Sequence, residues 1–325
     1  MQSIDDGSPA DRIAGGLVGL LVGDALGVPY EFRAARDLPP FEQIDLQPPP
    51  DFVRSHARVP PGTWSDDGAQ ALCLLASLLH CGQMDLHDFA NRMVNWRDYG
   101  YLAVDGDVFD VGIQTAYAIQ ALRDGADPTQ SSPVDERRNG NGSLMRVLPL
   151  ALWHTGSDAE LMRDAALQSL PTHAHPRAHV ACAFYCLWAR AELRGEMGSW
   201  AAAEDSLRRH ADEAGLPVAE IELVLDSRQA QQVSGSGYVV DTLWSARQMI
   251  DRETCYADTV RSAVALGNDT DTTAAVAGGI AGIRFGLHGI PSQWRGALRG
   301  RELLDPLLEA LLANAAPDAW KSAAR

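Results

Sequence analysis

Two short acidic runs stand directly before apolar stretches. Ser65-Asp66-Asp67 precedes the apolar segment 69–79, and Asp269-Thr270-Asp271-Thr272 precedes 274–286. Serine or aspartate before a helix is an ordinary N-cap, and acids in a first turn suit the helix dipole. One cap needs one side chain, however, and each run brings two carboxylates with a hydroxyl. At a helix entrance, residues two apart can turn toward one point. Together the runs offer four carboxylates and two hydroxyls, an all-oxygen donor set suited to Mg²⁺ or Mn²⁺. Four clustered carboxylates repel one another, and two divalent ions would offset that repulsion. Paired cations can bind vicinal hydroxyls, polarise an oxygen and lower the pKa of a water.

Glu31 lies where the first apolar run, Gly23-Asp24 through Tyr30-Glu31, meets a proline-rich stretch at 33–62. On residue type alone, a solvated loop carboxylate is the better fit. Asn139-Gly140-Asn141-Gly142-Ser143 is a glycine-rich turn before an apolar segment, which suits an anion nest. Asp110 precedes the segment 111–123 and also fits a helix cap.

Helical periodicity dominates the chain, with no alternating strand pattern. Helices are expected over 12–28, 66–80, 86–101, 111–123, 143–154 and 158–169. More follow at 176–195, 199–214, 217–226, 239–249, 254–266, 271–287 and 301–314. Segments 33–62, 124–142 and 231–237 read as loops, and long ordered loops in compact domains are usually functional. Gly15, Gly19, Gly23 and Gly27 form a four-residue repeat, echoed by Gly278, Gly282 and Gly286. Both stripes predict close helix contacts in a core. Trp153, Trp188 and Trp244 read as core, as do Cys182 and Cys186.

The chain has 325 residues, 46% hydrophobic and 22% charged, the profile of a soluble globular protein. One all-α domain is expected over 1–325, with its core at about 12–315. A net charge of −16 disfavours nucleic acid and anionic membranes as partners. Residues 1–12 lack an apolar leader core, and the apolar run 13–28 reads as too short to span a bilayer. Five cysteines in no zinc pattern fit reduced thiols in the cytoplasm. A monomer is expected.

Four motifs, in order, resemble the ADP-ribosylglycohydrolase family: Gly23-Asp24 through Tyr30-Glu31, Ser65-Asp66-Asp67, Asn141-Gly142-Ser143-Leu144-Met145-Arg146, and 267–272. Together they span about residues 12–295. The resemblance implies a compact orthogonal helical bundle with a dinuclear Mg²⁺ or Mn²⁺ cleft. It assigns Ser65, Asp66, Asp67, Asp269, Asp271 and Thr272 to the cations. Ser65 stands where many members have threonine, and Gly68 replaces a frequent threonine or serine. Glu31 aligns with a glutamate that some members carry on a mobile flap, which makes 33–62 that flap and its extension. With Asp269 and Asp110 it forms the implied catalytic group. Asp110 and Gly112 resemble a segment lining the cleft near the released ribose. The loop from Asn139 to Ser143 resembles the one that receives the diphosphate. His173 matches a histidine near the distal ribose or phosphate, and Tyr238 falls at the adenosine end. The implied activity is removal of ADP-ribose from an acceptor, most readily an arginine guanidinium. Serine-linked or O-acetyl-ADP-ribose, a nucleic-acid end, and a binding or immunity protein with little turnover are the alternatives.

Overall fold

In a computed structural model, residues 4–231 and 233–314 are described. Residues 1–3 of the segment read as leader-free, and the expected core end at 315, lie outside them. Fourteen α-helices occur among the described residues. They are α1 (Pro9–Gly27), α2 (Asp66–Cys81), α3 (Leu86–Tyr99), α4 (Ile113–Arg123), α5 (Leu148–Trp153), α6 (Asp158–Ser169) and α7 (Pro176–Leu193). The others are α8 (Ser199–Ala214), α9 (Val218–Val224), α10 (Val239–Arg252), α11 (Tyr256–Val264), α12 (Thr270–Gly289), α13 (Ser292–Ala297) and α14 (Arg301–Asn314). No strand occurs among the described residues, only the isolated bridges Ala34–Gly267 and Gly140–Tyr238. The fold is all-α.

The first helix and the twelfth form the axis. Helix α1 is apolar on every side and wholly enclosed from residue 13 to 27. Its glycine stripe faces the stripe of α12. A Cβ at Gly15, Gly19 or Gly23 would collide with the carbonyl oxygens of Gly282, Gly278 or Ala274. At Gly27 it would strike the backbone of Asp271, 2.5 Å from that residue's nitrogen. Only bare backbones can approach this closely. One side-chain hydrogen bond joins the pair, from Thr270 Oγ1 to Gly27 O at 2.8 Å, and Tyr256 of α11 donates to Gly19 O at 2.7 Å beside it. The pairing sets the C-terminal end of α1 beside the acidic N-terminal end of α12.

Apolar structure from Pro9 to Tyr30 is longer than the sequence reading allowed, and long enough to cross a bilayer by length and composition. The whole of that apolar window is buried by other helices. All five cysteines are free, and Cys73, Cys182 and Cys186 are buried. Trp188 and Trp244 are buried, while Trp153 is partly buried.

One expected helix is cut short. Residues 143–147 form turns, and α5 begins only at Leu148. Pro149 lacks an N–H and disfavours helical backbone before it, so it suits a first turn only. The preceding turn closes on Asn141 O, which accepts the Leu144 and Met145 N–H groups at 2.8 and 3.0 Å. Helix α13 was not expected, being six residues long after Pro291.

Candidate active site

The acidic starts of α2 and α12 meet. Thr272 Oγ1 lies 3.4 Å from Asp67 Oδ1; Asp66, Asp67 and Asp271 are buried and Asp269 is partly buried. Ser65 is the N-cap of α2 in fact: its Oγ accepts the Asp67 N–H at 3.2 Å. Asp269 occupies the corresponding position of α12 but makes no side-chain cap. Its Oδ2 accepts from Asn141 Nδ2 at 2.9 Å, which ties the glycine-rich loop to the acids. Asp271 Oδ1 accepts the Thr272 N–H at 2.9 Å.

Asp24 explains how α2 is held. It is fully buried in α1, and its two oxygens accept the Ser65 N–H at 2.9 and 3.0 Å. Its Oδ2 also accepts the Gly68 N–H at 2.8 Å. A carboxylate from another helix thus satisfies donors that a helix start leaves open. Gly68 is required here, since a Cβ would lie 2.7 Å from both Leu21 and Trp64 side chains. Burial raises Asp24 to about 7, against the opposing pull of those N–H groups.

A second chain of contacts orients Asp66. Its Oδ2 accepts from Gln70 Nε2 at 2.9 Å, and Gln70 Oε1 accepts from Arg146 Nη1 at 2.9 Å. Arg146 is fully buried, and it also donates to Gln168 and Thr172. Its guanidinium carbon sits 5.1 Å from the Phe89 ring centroid. Thr172 Oγ1 in turn lies 2.8 Å from His173 Nδ1. Burial holds His173 down at about 3, so it is neutral at physiological pH.

Glu31 is buried, not solvated. Its Oε2 lies 2.6 Å from His56 Nε2, and its backbone oxygen accepts from Ser55 Oγ. The root of the proline-rich loop is stitched to the α12 entrance. Phe32 N–H donates to Asn268 O at 2.7 Å, and Asn268 N–H donates to Arg33 O at 2.6 Å. Asp110 adopts φ +55° and caps nothing, because α4 starts at Ile113 with Gly112 at its N-cap. Asp110 Oδ1 is 3.9 Å from His56 Nε2.

Glu31, Asp66, Asp67, Asp110, Asp269 and Thr272 line a cleft of about 460 Å³ that also takes in Gly112, Gly140, Gly142 and His173, while Ser65, Asp271 and His56 stand behind its lining. Of the glycine-rich loop, only its middle reaches the cleft. Asn141 N–H is bonded to Gly237 O, and Asn139 O accepts the Val239 N–H. Ser143 is fully buried behind the loop, its hydroxyl 2.8 Å from that of Ser169. Tyr238 is outside the cleft lining, with its hydroxyl 3.3 Å from Arg177 Nη1.

The carboxylates fit hard cations. Asp67 Oδ2 and Asp271 Oδ2 are buried without a hydrogen-bond partner. Ligand oxygens of Glu31, Asp269 and Asp271 lie within 4.8 Å of one another. Burial first, then mutual repulsion, pushes Glu31, Asp66, Asp67 and Asp271 far above the usual carboxylate range. Such a set is ionised at neutral pH only if positive charge enters it.

Sequence reasoning missed Asp24, Gln70 and His56. Asp24 interrupts an apolar helix, which was a usable signal, because a buried carboxylate must have partners. His56 sits in a loop that carries no periodic pattern, and nothing in its neighbours marked it.

Residues 5–320 match the family model for ADP-ribosylglycohydrolase. The chain is 28% identical over 95% of its length to ADP-ribosylarginine hydrolase Tri1 of Serratia proteamaculans, covering 81% of that protein. It is 29% identical over 87% of its length to ADP-ribosyl-[dinitrogen reductase] glycohydrolase of Rhodospirillum rubrum, covering 89% of it. A solved structure titled ADP-ribosylglycohydrolase-related protein complex superposes with a TM-score of 0.74 at 31% identity, over 95% of this chain and 99% of that one. With the fold, the order of the motifs and the acid-lined cleft in agreement, the chain belongs to the ADP-ribosylglycohydrolase family of hydrolases.

Proposed function

We propose that the protein hydrolyses the N-glycosidic bond between ADP-ribose and an arginine side chain, with two divalent cations, Mg²⁺ or Mn²⁺, in its cleft. The observation that carries the cation site is the pair of buried, unpartnered carboxylate oxygens at Asp67 and Asp271, where the α2 and α12 starts meet. The relatives named for arginine-linked ADP-ribose support the linkage. Five free cysteines fit a reducing compartment such as the cytoplasm.

Asp66, Asp67, Asp269, Asp271 and Thr272 would hold the cations, with Ser65 also serving as the α2 cap. The cations supply polarisation of the ribose hydroxyls and a more acidic water. Asn141 fixes Asp269, Gln70 fixes Asp66, and His56 fixes Glu31. Gly140 and Gly142 give the diphosphate a close backbone approach, with neutral His173 as a hydrogen-bonding neighbour. With positive charge in the cleft to ionise it, the Glu31 carboxyl would take the proton from the attacking water. Asp110, beside it, faces the departing acceptor.

Arginine-linked, serine-linked and O-acetyl-linked ADP-ribose should be offered to wild type and Asp269→Ala, with each cation and with chelator, while free ADP-ribose is measured. Release from the arginine linkage, lost in Asp269→Ala and with chelator, is expected. Preference for another linkage would replace the acceptor in this reading. Full cation-independent turnover by Asp269→Ala would remove the cation site from it, and tight ADP-ribose binding without release would make the protein a binding module.

A further inference from the structure

The residue next to Glu31 is an anomaly. Phe32 is 70% exposed, yet its backbone sits at φ +61°. Left-handed backbone is disfavoured for an L-residue, and a bulky side chain rarely adopts it. An exposed ring returns nothing to the core. The conformation persists because the two hydrogen bonds between 32–33 and Asn268 impose it from both sides. Asn268 is itself left-handed, at φ +62°. Two strained residues are thus locked together directly before Asp269.

What this arrangement does is hold a ring at the mouth of the cleft. Phe32 heads a short aromatic row: its centroid is 5.8 Å from that of His56, which is 5.1 Å from that of Phe109. Asp110 and Glu31 line the same cleft, 3.9 and 2.6 Å from His56 Nε2. The glycine-rich loop and His173 also line this cleft, and a Cβ on Gly142 would come 2.8 Å from the His173 ring. One cleft therefore holds both phosphate-suited groups and an aromatic–carboxylate group. An aromatic face beside a carboxylate is a receptor for a planar cation, which stacks on the ring and pairs with the acid.

We propose that Phe32 is the acceptor-selecting residue of this cleft, its ring and the Asp110 carboxylate together receiving the planar guanidinium that departs from ADP-ribose. This rests on the arginine-linked reading above and deepens it. An uncharged hydroxyl acceptor gains nothing from the ring's quadrupole or from Asp110.

Two substitutions separate the ring from the backbone. Phe32→Gly removes the ring and favours positive φ, so the loop geometry is kept. Phe32→Tyr keeps the aromatic face. Two readouts are needed on each full-length protein. One is the ratio of kcat/KM for arginine-linked over serine-linked ADP-ribose. The other is calorimetry of arginine amide titrated into protein loaded with ADP-ribose and Mg²⁺, which does not depend on turnover. In Phe32→Gly the ratio should fall about fivefold and arginine amide should bind about fivefold more weakly, the scale of one cation–π contact. Phe32→Tyr should stay within about twofold of wild type on both. Equal loss on both substrates, or unchanged amide binding in Phe32→Gly, overturns the assignment. Wild-type protein that binds arginine amide through Phe32 yet releases no ADP-ribose would overturn the hydrolase reading and leave this one standing.

Discussion

Asp24 and Ser65, 41 positions apart, are joined by a carboxylate that grips a helix from outside: both Asp24 oxygens accept the Ser65 N–H. The first acid of the cleft is therefore positioned by a residue that never enters it. Asp24→Asn keeps the volume but turns an amide NH₂ toward backbone donors. Stability should fall by roughly 3 kcal/mol, because buried N–H groups lose their charged acceptor. Urea denaturation measures this, and a loss under about 0.5 kcal/mol would mean that α2 is held by other contacts.

The acid cluster also sets how stability responds to pH. Asp24 is raised to about 7, and Asp66, Asp67, Asp269 and Asp271 are raised too, first by burial. A carboxyl whose folded pKa exceeds its unfolded one binds more protons when folded, so stability falls as pH rises between the two values. In chelator, the melting temperature should decline from about pH 4 toward pH 7 and beyond. Added Mg²⁺ or Mn²⁺ should restore it most at the high-pH end, where the carboxylates can ionise. A chelated protein that becomes more stable over that window would contradict the cluster's electrostatics.

Gln70 links Asp66 to the buried guanidinium of Arg146. Gln70→Leu keeps the bulk and removes both hydrogen bonds. The cation concentration for half-maximal activity should rise about 10- to 100-fold, as when the partner of a metal-binding carboxylate is lost. An unchanged activation curve would leave Gln70 with a packing role only.

His173 is held near 3 by burial and the Arg146 charge, so it does not titrate where enzymes are assayed. His173→Ala should raise KM by about tenfold through a lost neutral contact. Between pH 5 and 8 the rate profile should keep its shape. A new or vanished inflection near pH 6.5 would mean that the ring titrates in this range.

Much of this was legible in the residues. The acidic runs at 65–67 and 269–272 announced themselves by carrying more carboxylates than a cap uses, and the glycine stripes announced close helix contacts, though not that the two stripes meet each other. Whether each acid capped its helix was not legible: Ser65 does, Asp269 and Asp110 do not. That depends on backbone angles, such as φ +55° at Asp110, which spacing does not encode. His56 and Asp24 escaped because their roles come from contacts across 25 to 44 positions. Residues 143–147 looked helical by apolar period, but Pro149 and the Asn141 turn override that period locally.

The glycine-lined pairing of α1 with α12 gives the protein a history as well as a shape. In the bond from Thr270 to Gly27, 243 positions separate donor from acceptor. On the ribosome α1 emerges before α12, with its bare apolar face uncovered, and its partner follows roughly 10–50 s later at ordinary rates of synthesis. Until then the Glu31 end of the cleft has nothing to face. The nascent chain therefore carries an unpaired apolar helix until α12 has been made, and only then can the acidic starts of α2 and α12 meet.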